Sequence, residues 1–117
     1  MSLQAFAFER TFVLGTTPNT DWNHQVDTRF PADPGIGPTN GVQMQALGDG
    51  DCAWERLEVQ YEDGQVAQFG NGVALHKHPA PIVSFDRYRR VREVTTVTSS
   101  HDKKRSCYFE VSLVRSE

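Results

Sequence analysis

The stretch from Trp54 to Phe69 constrains the fold more than any other part of this chain. Leu57, Val59 and Tyr61 alternate with charged or polar neighbours. Because successive side chains of a strand point to opposite faces, this period of two is typical of a strand with one buried face and one solvated face. The sequence therefore predicts a β-hairpin here, and with it an all-β class for the domain.

An Asp-Gly pair follows the first strand of this hairpin and marks its turn. A three-residue loop with Gly64 in the left-handed region pairs Ala67 with Val59, which keeps one face of the hairpin apolar. The same register sets Phe69 opposite Leu57, whereas a two-residue turn would set Phe69 opposite a glutamate. A slip of one residue moves the whole apolar set into solvent, so we expect the bulged register.

Strand-like alternation recurs along the rest of the chain, between segments rich in glycine, proline and asparagine. Together with the hairpin these segments give about eight strands, and none has the period of an amphipathic helix. The further strand candidates are residues 4–14, 42–46, 73–78, 82–85, 89–99 and 107–113. The pattern predicts a single antiparallel β-sandwich of jelly-roll type.

We expect one domain over residues 1–117, since this is the length of a single compact core. In the first strand candidate Phe6, Phe8 and Phe12 share one face, which we expect to enter the core. Residues 15–41 contain four prolines and no sustained period, so they are predicted to form one long loop. A connection of this length is unusual in a compact domain unless it binds something.

Charge and hydropathy exclude some classes of function. The formal net charge is −3, which gives no overall attraction to nucleic acid or to an anionic membrane. No apolar run is long enough to span a membrane and no signal peptide is recognisable, so we expect a soluble, cytoplasmic or otherwise intracellular protein. If a signal peptide has been removed from the chain, the location is unknown. Locally, residues 87–105 carry seven basic and two acidic side chains, which predicts one basic edge.

The two cysteines, Cys52 and Cys107, are too few for a disulfide scaffold and have no metal-binding spacing. Two buried thiols are the simpler interpretation. Each cysteine falls in a predicted strand, so a single bridge stays open for an oxidising compartment.

Within the predicted loop, Trp22 and His24 lie among asparagine, aspartate and glutamine. An aromatic ring surrounded by polar side chains is suited to stacking against a sugar or packing against a protein partner. The alternative is that Trp22 and Phe30 fold back and close one end of the sandwich. We predict this loop as the first contact region.

His76 and His78 are two apart on a strand candidate, so both imidazoles would project to the same face. With Gly70 six positions earlier, they resemble the start of the first cupin motif, whose family is a jelly-roll barrel with a metal on histidines and a glutamate. The resemblance implies one divalent transition metal. The motif's glutamate is missing, since Ile82 and Val83 stand there, and no second motif follows. We favour the interpretation that His76 and His78 belong to a polar strand face and hold no metal or cofactor.

Arginines alternate with aromatic residues from Phe85 to Arg92, as on a surface that binds single-stranded nucleic acid or another polyanion. On a regular strand the four arginines divide between two faces, with Arg90 and Arg92 on one and Arg87 and Arg89 on the other. The alternative is that they pair with neighbouring carboxylates. We therefore regard nucleic acid as an unfavoured partner.

These observations favour a non-catalytic module for binding or assembly over an enzyme. Its expected partner is a carbohydrate or a protein, recognised through the long loop and an exposed sheet surface, and a homo-oligomer is compatible with its edge strands. A small metal-dependent cupin-like enzyme using His76 and His78 is one alternative. A polyanion binder using Arg87, Arg89, Arg90 and Arg92 is the other.

Overall fold

A computed structural model describes residues 9–116 of the chain and shows an all-β protein. Its eight strands are β1 (Glu9–Thr16), β2 (Val26–Pro31), β3 (Pro38–Ala46), β4 (Cys52–Tyr61), β5 (Val66–Gln68), β6 (Gly72–Ala74), β7 (Ile82–Ser100) and β8 (Phe109–Ser116). A single 3-10 turn, Pro34–Ile36, lies between β2 and β3. Among the described residues no helix is long and apolar enough to cross a membrane.

The strands pair antiparallel in the order β1-β8-β3-β7-β4-β5, with β2 added to β7 and β6 added to β4. The prediction of an all-β, antiparallel fold with about eight strands is confirmed. The jelly-roll connectivity stays a prediction.

Strand β7 organises the sheet because it pairs with different neighbours along its 19 residues. Its first part pairs with β3, as in Val83 with Val42. Its second part lies between β2 and β4, where Val94 faces Phe30 on one side and Val59 on the other. The two segments predicted as separate strands, 82–85 and 89–99, are therefore one long strand.

The core lies between strands that do not pair with each other. Trp54 of β4 packs edge-on against Phe109 of β8, with ring centroids 5.9 Å apart. Leu57 and Val59 on β4 and Val111 on β8 are fully buried. These are the alternating apolar positions of their strands, and complete burial of one such side chain contributes about 1.5–3 kcal/mol. The contact between β4 and β8 is consistent with a sandwich.

The central hairpin has the predicted register. Val59 pairs with Ala67, and the amide of Phe69 donates to the carbonyl of Leu57 at 2.8 Å. Gly64 has a φ of 92°, in the left-handed region that glycine adopts without steric cost. The apolar pattern and the turn residues agreed on this register, and both predicted it correctly.

The prediction of one long loop over 15–41 was wrong. β1 runs through Thr16, β2 occupies part of the segment, and β3 starts at Pro38. The sequence concealed β2 because Thr28 interrupts the apolar alternation between Val26 and Phe30. Prolines also end β2 and begin β3, positions where a missing amide donor is tolerated. The connections that remain are residues 17–25 and residues 32–37, which include the 3-10 turn.

The predicted first strand is confirmed where it can be seen. Phe12 and Leu14 of β1 pack against the core, while Val13 between them is 59% exposed. Phe6 and Phe8 lie outside the described residues.

Gly72 lies directly against the indole of Trp54. A Cβ at this position would overlap the ring atoms of Trp54, whereas a Cβ at Gly70 would meet nothing within 4 Å. We therefore expect Gly72→Ala to lower the free energy of unfolding by about 1–3 kcal/mol through overpacking. Gly70→Ala, the matched control, should change it by less than about 0.5 kcal/mol. Urea denaturation of both variants checks this, and equal stabilities would contradict the packing described.

Candidate functional site

An open groove of about 440 Å³ lies where the connection after β1 meets the turn before β8. Its lining consists of Asp21–His24 on one side and Lys103–Ser106 on the other. We call this the Trp22 groove. The structure thus brings the two predicted contact residues, Trp22 and His24, together with a basic turn that the sequence does not place beside them.

Backbone hydrogen bonds hold the two sides of the Trp22 groove together. The amide of Thr20 donates to the carbonyl of Cys107 at 2.8 Å, and the amide of Cys107 donates back at 3.0 Å. Asn19 adds a side-chain bond to the hydroxyl of Ser106 at 3.0 Å. Because Thr20 directly precedes one side of the lining and Cys107 directly follows the other, these bonds hold the two sides of the groove together.

A disulfide connects the paired residues Thr20 and Cys107 to the core. Cys107 is bonded to Cys52 of β4, with 5.6 Å between their Cα atoms. Both are fully buried, as predicted, but the favoured interpretation of two thiols was wrong and the open alternative of a bridge is what the structure shows. The cytosol keeps thiols reduced, so a disulfide is unusual for the intracellular location that the sequence predicts.

The basic turn is shaped by two polar side chains. The hydroxyl of Ser100 lies 2.8 Å from the carbonyl of Asp102 and 2.6 Å from that of Arg105. The carboxylate of Asp102 accepts from the amide of Lys104 at 2.9 Å. Because backbone atoms make these bonds, the side chains of Lys103 and Lys104 remain exposed at the groove.

Trp22 and Lys103 contact each other across the Trp22 groove. The Lys103 ammonium lies 5.4 Å from the centroid of the indole ring, a cation–π distance. The indole remains 42% exposed. An exposed ring held beside a cation presents an apolar surface and a positive charge at the same place.

The arginine segment is arranged differently from its prediction. Between the pairs Thr39–Arg89 and Gly41–Ser84, β3 has one residue and β7 has four, residues 85–88. This bulge breaks the alternation of a regular strand.

As a result, four consecutive residues from Arg87 to Arg90 line one groove of about 500 Å³. Tyr61, Glu62 and Asp63 complete its lining, and Arg92 is not part of it. We call this the arginine groove. The predicted division of the arginines between two faces was wrong here.

Arg89 is a structural residue. Its guanidinium makes two hydrogen bonds to Asp86, at 3.0 and 2.8 Å, and one to Gln65 at 2.7 Å. It also lies 4.6 Å from the ring centroid of Tyr61 and is only 11% exposed. The alternative prediction, pairing with neighbouring carboxylates, is therefore confirmed for Arg89. Arg87, Arg90 and Arg92 are exposed and make no ion pair within residues 9–116.

The pKa values of Asp86 and Tyr61, both contacts of Arg89, differ from their ordinary values. Hydrogen bonding to Arg89 holds the pKa of the Asp86 carboxyl below its ordinary value. Burial raises the pKa of the Tyr61 phenol, although the nearby Arg89 charge opposes that rise. The Tyr61 phenol is accordingly neutral near pH 7.

The Asp86–Arg89 pair predicts a pH dependence of stability. Since the pKa of Asp86 is lower in the folded state, its stabilisation is present above its ordinary pKa, near 3.8, and is lost as pH falls through the folded value. The Asp86 side chain is 63% exposed, so solvent screens the pair and the effect is small.

We expect Asp86→Asn to be less stable than wild type near neutral pH and to approach it in strong acid. Urea titrations across pH check this. Asp27→Asn, which removes an exposed carboxylate with no ion pair among the described residues, is the control and should show no such convergence. A constant difference between Asp86→Asn and wild type would contradict the assignment.

The two histidines of the cupin resemblance do not lie on a strand. β6 ends at Ala74, and His76 and His78 lie in a turn in which Lys77 has a φ of 61°. His78 Nδ1 lies 3.0 Å from the carbonyl of His76, and the His76 amide donates to Asp51 at 2.6 Å.

The strand predicted over 73–78 was therefore wrong beyond Ala74, because a turn with a left-handed residue follows it. Leu75, which a strand continued to His78 would turn inward opposite the two histidines, is 44% exposed. Within residues 9–116 no three histidine, cysteine or acidic side chains are placed to hold a metal ion.

No protein-family model matches this sequence, and no curated protein or solved structure matches it significantly. The site must accordingly be interpreted from its own geometry. The three basic lining residues, Lys103, Lys104 and Arg105, were not predicted as contacts from the sequence. Their only signal was the excess of positive charge over residues 87–105.

Proposed function

We propose that this protein is a non-catalytic binding module that recognises a carbohydrate through the Trp22 groove. The observation that carries the proposal is the placement of Trp22, 42% exposed at an open groove. Hydrogen bonds to Cys107 and the disulfide of Cys107 hold together the two segments that line that groove.

The composition of the Trp22 groove suits a sugar. One face of a pyranose ring carries C–H groups that pack against an aromatic ring, while its hydroxyls need hydrogen-bonding partners at the edge. Asn23 and Ser106 line the groove beside Trp22 and provide both donors and acceptors. A tryptophan side chain has only two rotatable bonds, so it loses little conformational entropy when the ligand binds.

The arginine groove gives weaker support to the alternative function, which is the binding of a polyanion. Arg89 is committed to Asp86 and Gln65, and Glu62 and Asp63 place negative charge in the lining. A polyanion would have Arg87 and Arg90 as its remaining contacts and would meet repulsion from the two carboxylates. The cupin-like enzyme remains the other alternative, although a turn holds His76 and His78.

Replacing Trp22 tests the proposal. Wild-type protein is screened on an array of neutral and acidic oligosaccharides, and ligands that bind are titrated by calorimetry. We expect Trp22→Ala to weaken binding about 10- to 100-fold, as for a central aromatic contact, with little change in stability because the ring is exposed.

Tyr88→Ala is the matched control, since Tyr88 is an aromatic residue of similar exposure, 48%, in the arginine groove. It should leave carbohydrate binding unchanged. Binding that survives Trp22→Ala, or an array without any ligand, would refute the proposed function.

A further inference from the structure

The charges that line the Trp22 groove are unbalanced. Lys103, Lys104 and Arg105 are contributed by the turn, and Asp21 is the one carboxylate in the lining. Asp102 lies in the same turn outside the lining, with a carboxylate oxygen occupied by the amide of Lys104. The groove therefore has an excess of positive charge on a chain whose net charge is −3.

The cations of the Trp22 groove are also accessible. None of Lys103, Lys104 and Arg105 takes part in an ion pair within residues 9–116, and all three are exposed. Arg105 donates to the carbonyl of Asp49 at 3.3 Å, which leaves most of its five donors free. Lys103 lies over the indole, so its charge is within reach of a ligand that packs against the exposed part of the ring.

From these charges we propose that the ligand of the Trp22 groove is an acidic carbohydrate, carrying carboxylate or sulfate groups. This inference rests on the proposed function and specifies its ligand class. A sugar ring packs on Trp22, and its anionic groups lie between Lys103 and Lys104. A cation beside an aromatic ring adds charge-assisted hydrogen bonds for an anionic sugar, whereas a neutral sugar gains only the stacking contact and the neutral hydrogen bonds of its hydroxyls.

The arginine groove does not offer the same combination. Its cations lie beside Glu62 and Asp63, and Arg89 is paired with Asp86. It therefore supplies a comparison within the same molecule. Removing two cations there changes the net charge of the protein as much as removing two lysines from the Trp22 groove.

The test uses immobilised oligosaccharides in matched pairs that differ only in charge, such as an oligogalacturonate and its methyl ester, or a sulfated glycan and its unsulfated form. Three proteins are compared: wild type, Lys103→Gln/Lys104→Gln, and Arg87→Gln/Arg90→Gln. All four substituted residues are exposed, and unchanged thermal midpoints confirm folding.

We expect wild type to bind the acidic members of the pairs and to lose affinity as salt is raised, because exposed charges are screened. The lysine double variant should bind them about tenfold more weakly, and the arginine double variant should bind as wild type does. Equal binding of both members of a pair overturns the inference and leaves the proposed function intact. Loss of binding only in the arginine variant overturns both, and so does a complete absence of binding.

Discussion

Removing the Cys52–Cys107 bridge is expected to lower the free energy of unfolding by about 4 kcal/mol. The bridge spans 55 residues, and a cross-link over a loop of this length restricts the unfolded chain by roughly that amount, within a usual range of about 2–5 kcal/mol. For a domain of ordinary stability this is a large share of the total. Guanidinium denaturation of Cys52→Ala/Cys107→Ala against wild type measures the effect.

The bridge also supports the Trp22 groove, because Cys107 pairs with Thr20 through two backbone hydrogen bonds. Amide hydrogen exchange at these two residues should accelerate in the double variant more than exchange at Val59 and Val94, which lie in the paired centre of β4 and β7. Wild type with an added reductant, checked by thiol alkylation and mass spectrometry, is the control. An unchanged denaturation midpoint in fully reduced protein would contradict the expected role of the bridge.

Phe109→Ala is expected to destabilise the fold by about 3–5 kcal/mol. Phe109 is fully buried and contacts Trp54 across the core, at a centroid distance of 5.9 Å. Truncation removes that contact and leaves a cavity between β4 and β8, and both effects contribute to the cost of such a change. Thermal and urea unfolding measure the loss.

Val13→Ala is the control for Phe109→Ala, because Val13 is apolar, lies in a strand, and is 59% exposed. Its effect should stay within about 0.5 kcal/mol. If Phe109→Ala does not fold, Phe109→Leu provides a smaller truncation at the same place and should still destabilise measurably. Equal stabilities of the Phe109 and Val13 variants would contradict the position assigned to the core.

The hairpin of residues 54–69 was predictable because all of its determinants are local. The apolar period and a turn glycine agree on one register. β2 was not predicted, and the reason is also local. Thr28 interrupts the apolar alternation, and Pro31 is a residue typical of loops. Its assignment depends on pairing with β7, as in Phe30 with Val94, and no short-range pattern carries that information.

The Trp22 groove was predictable only in part. Trp22 and His24 stood out as an aromatic and an imidazole among polar neighbours. The basic turn reaches them through pairing of Thr20 with Cys107, which are far apart in sequence. Which distant segments meet is decided by the topology of the whole sheet, so the sequence alone could not place Lys103 at this groove.

The arginine segment shows a second limit of predicting structure from sequence. A period of two assumes a regular strand, and β7 has a bulge over residues 85–88. The bulge gathers Arg87, Arg89 and Arg90 at one groove, and the contacts of Arg89 then make it structural. A prediction from strand parity had no means to anticipate either feature.

The indole signals of the two tryptophans test the central claim most directly. An acidic oligosaccharide is titrated into ¹⁵N-labelled protein, and the Nε1–H resonances are assigned with Trp22→Phe. Trp22 is exposed and Trp54 is buried, so each protein carries its own internal control. We predict a saturable shift of the Trp22 indole and of the amides of residues 103–106, with Trp54 unmoved. Shifts confined to residues 87–90, or no shift of Trp22 at saturation, would contradict the account.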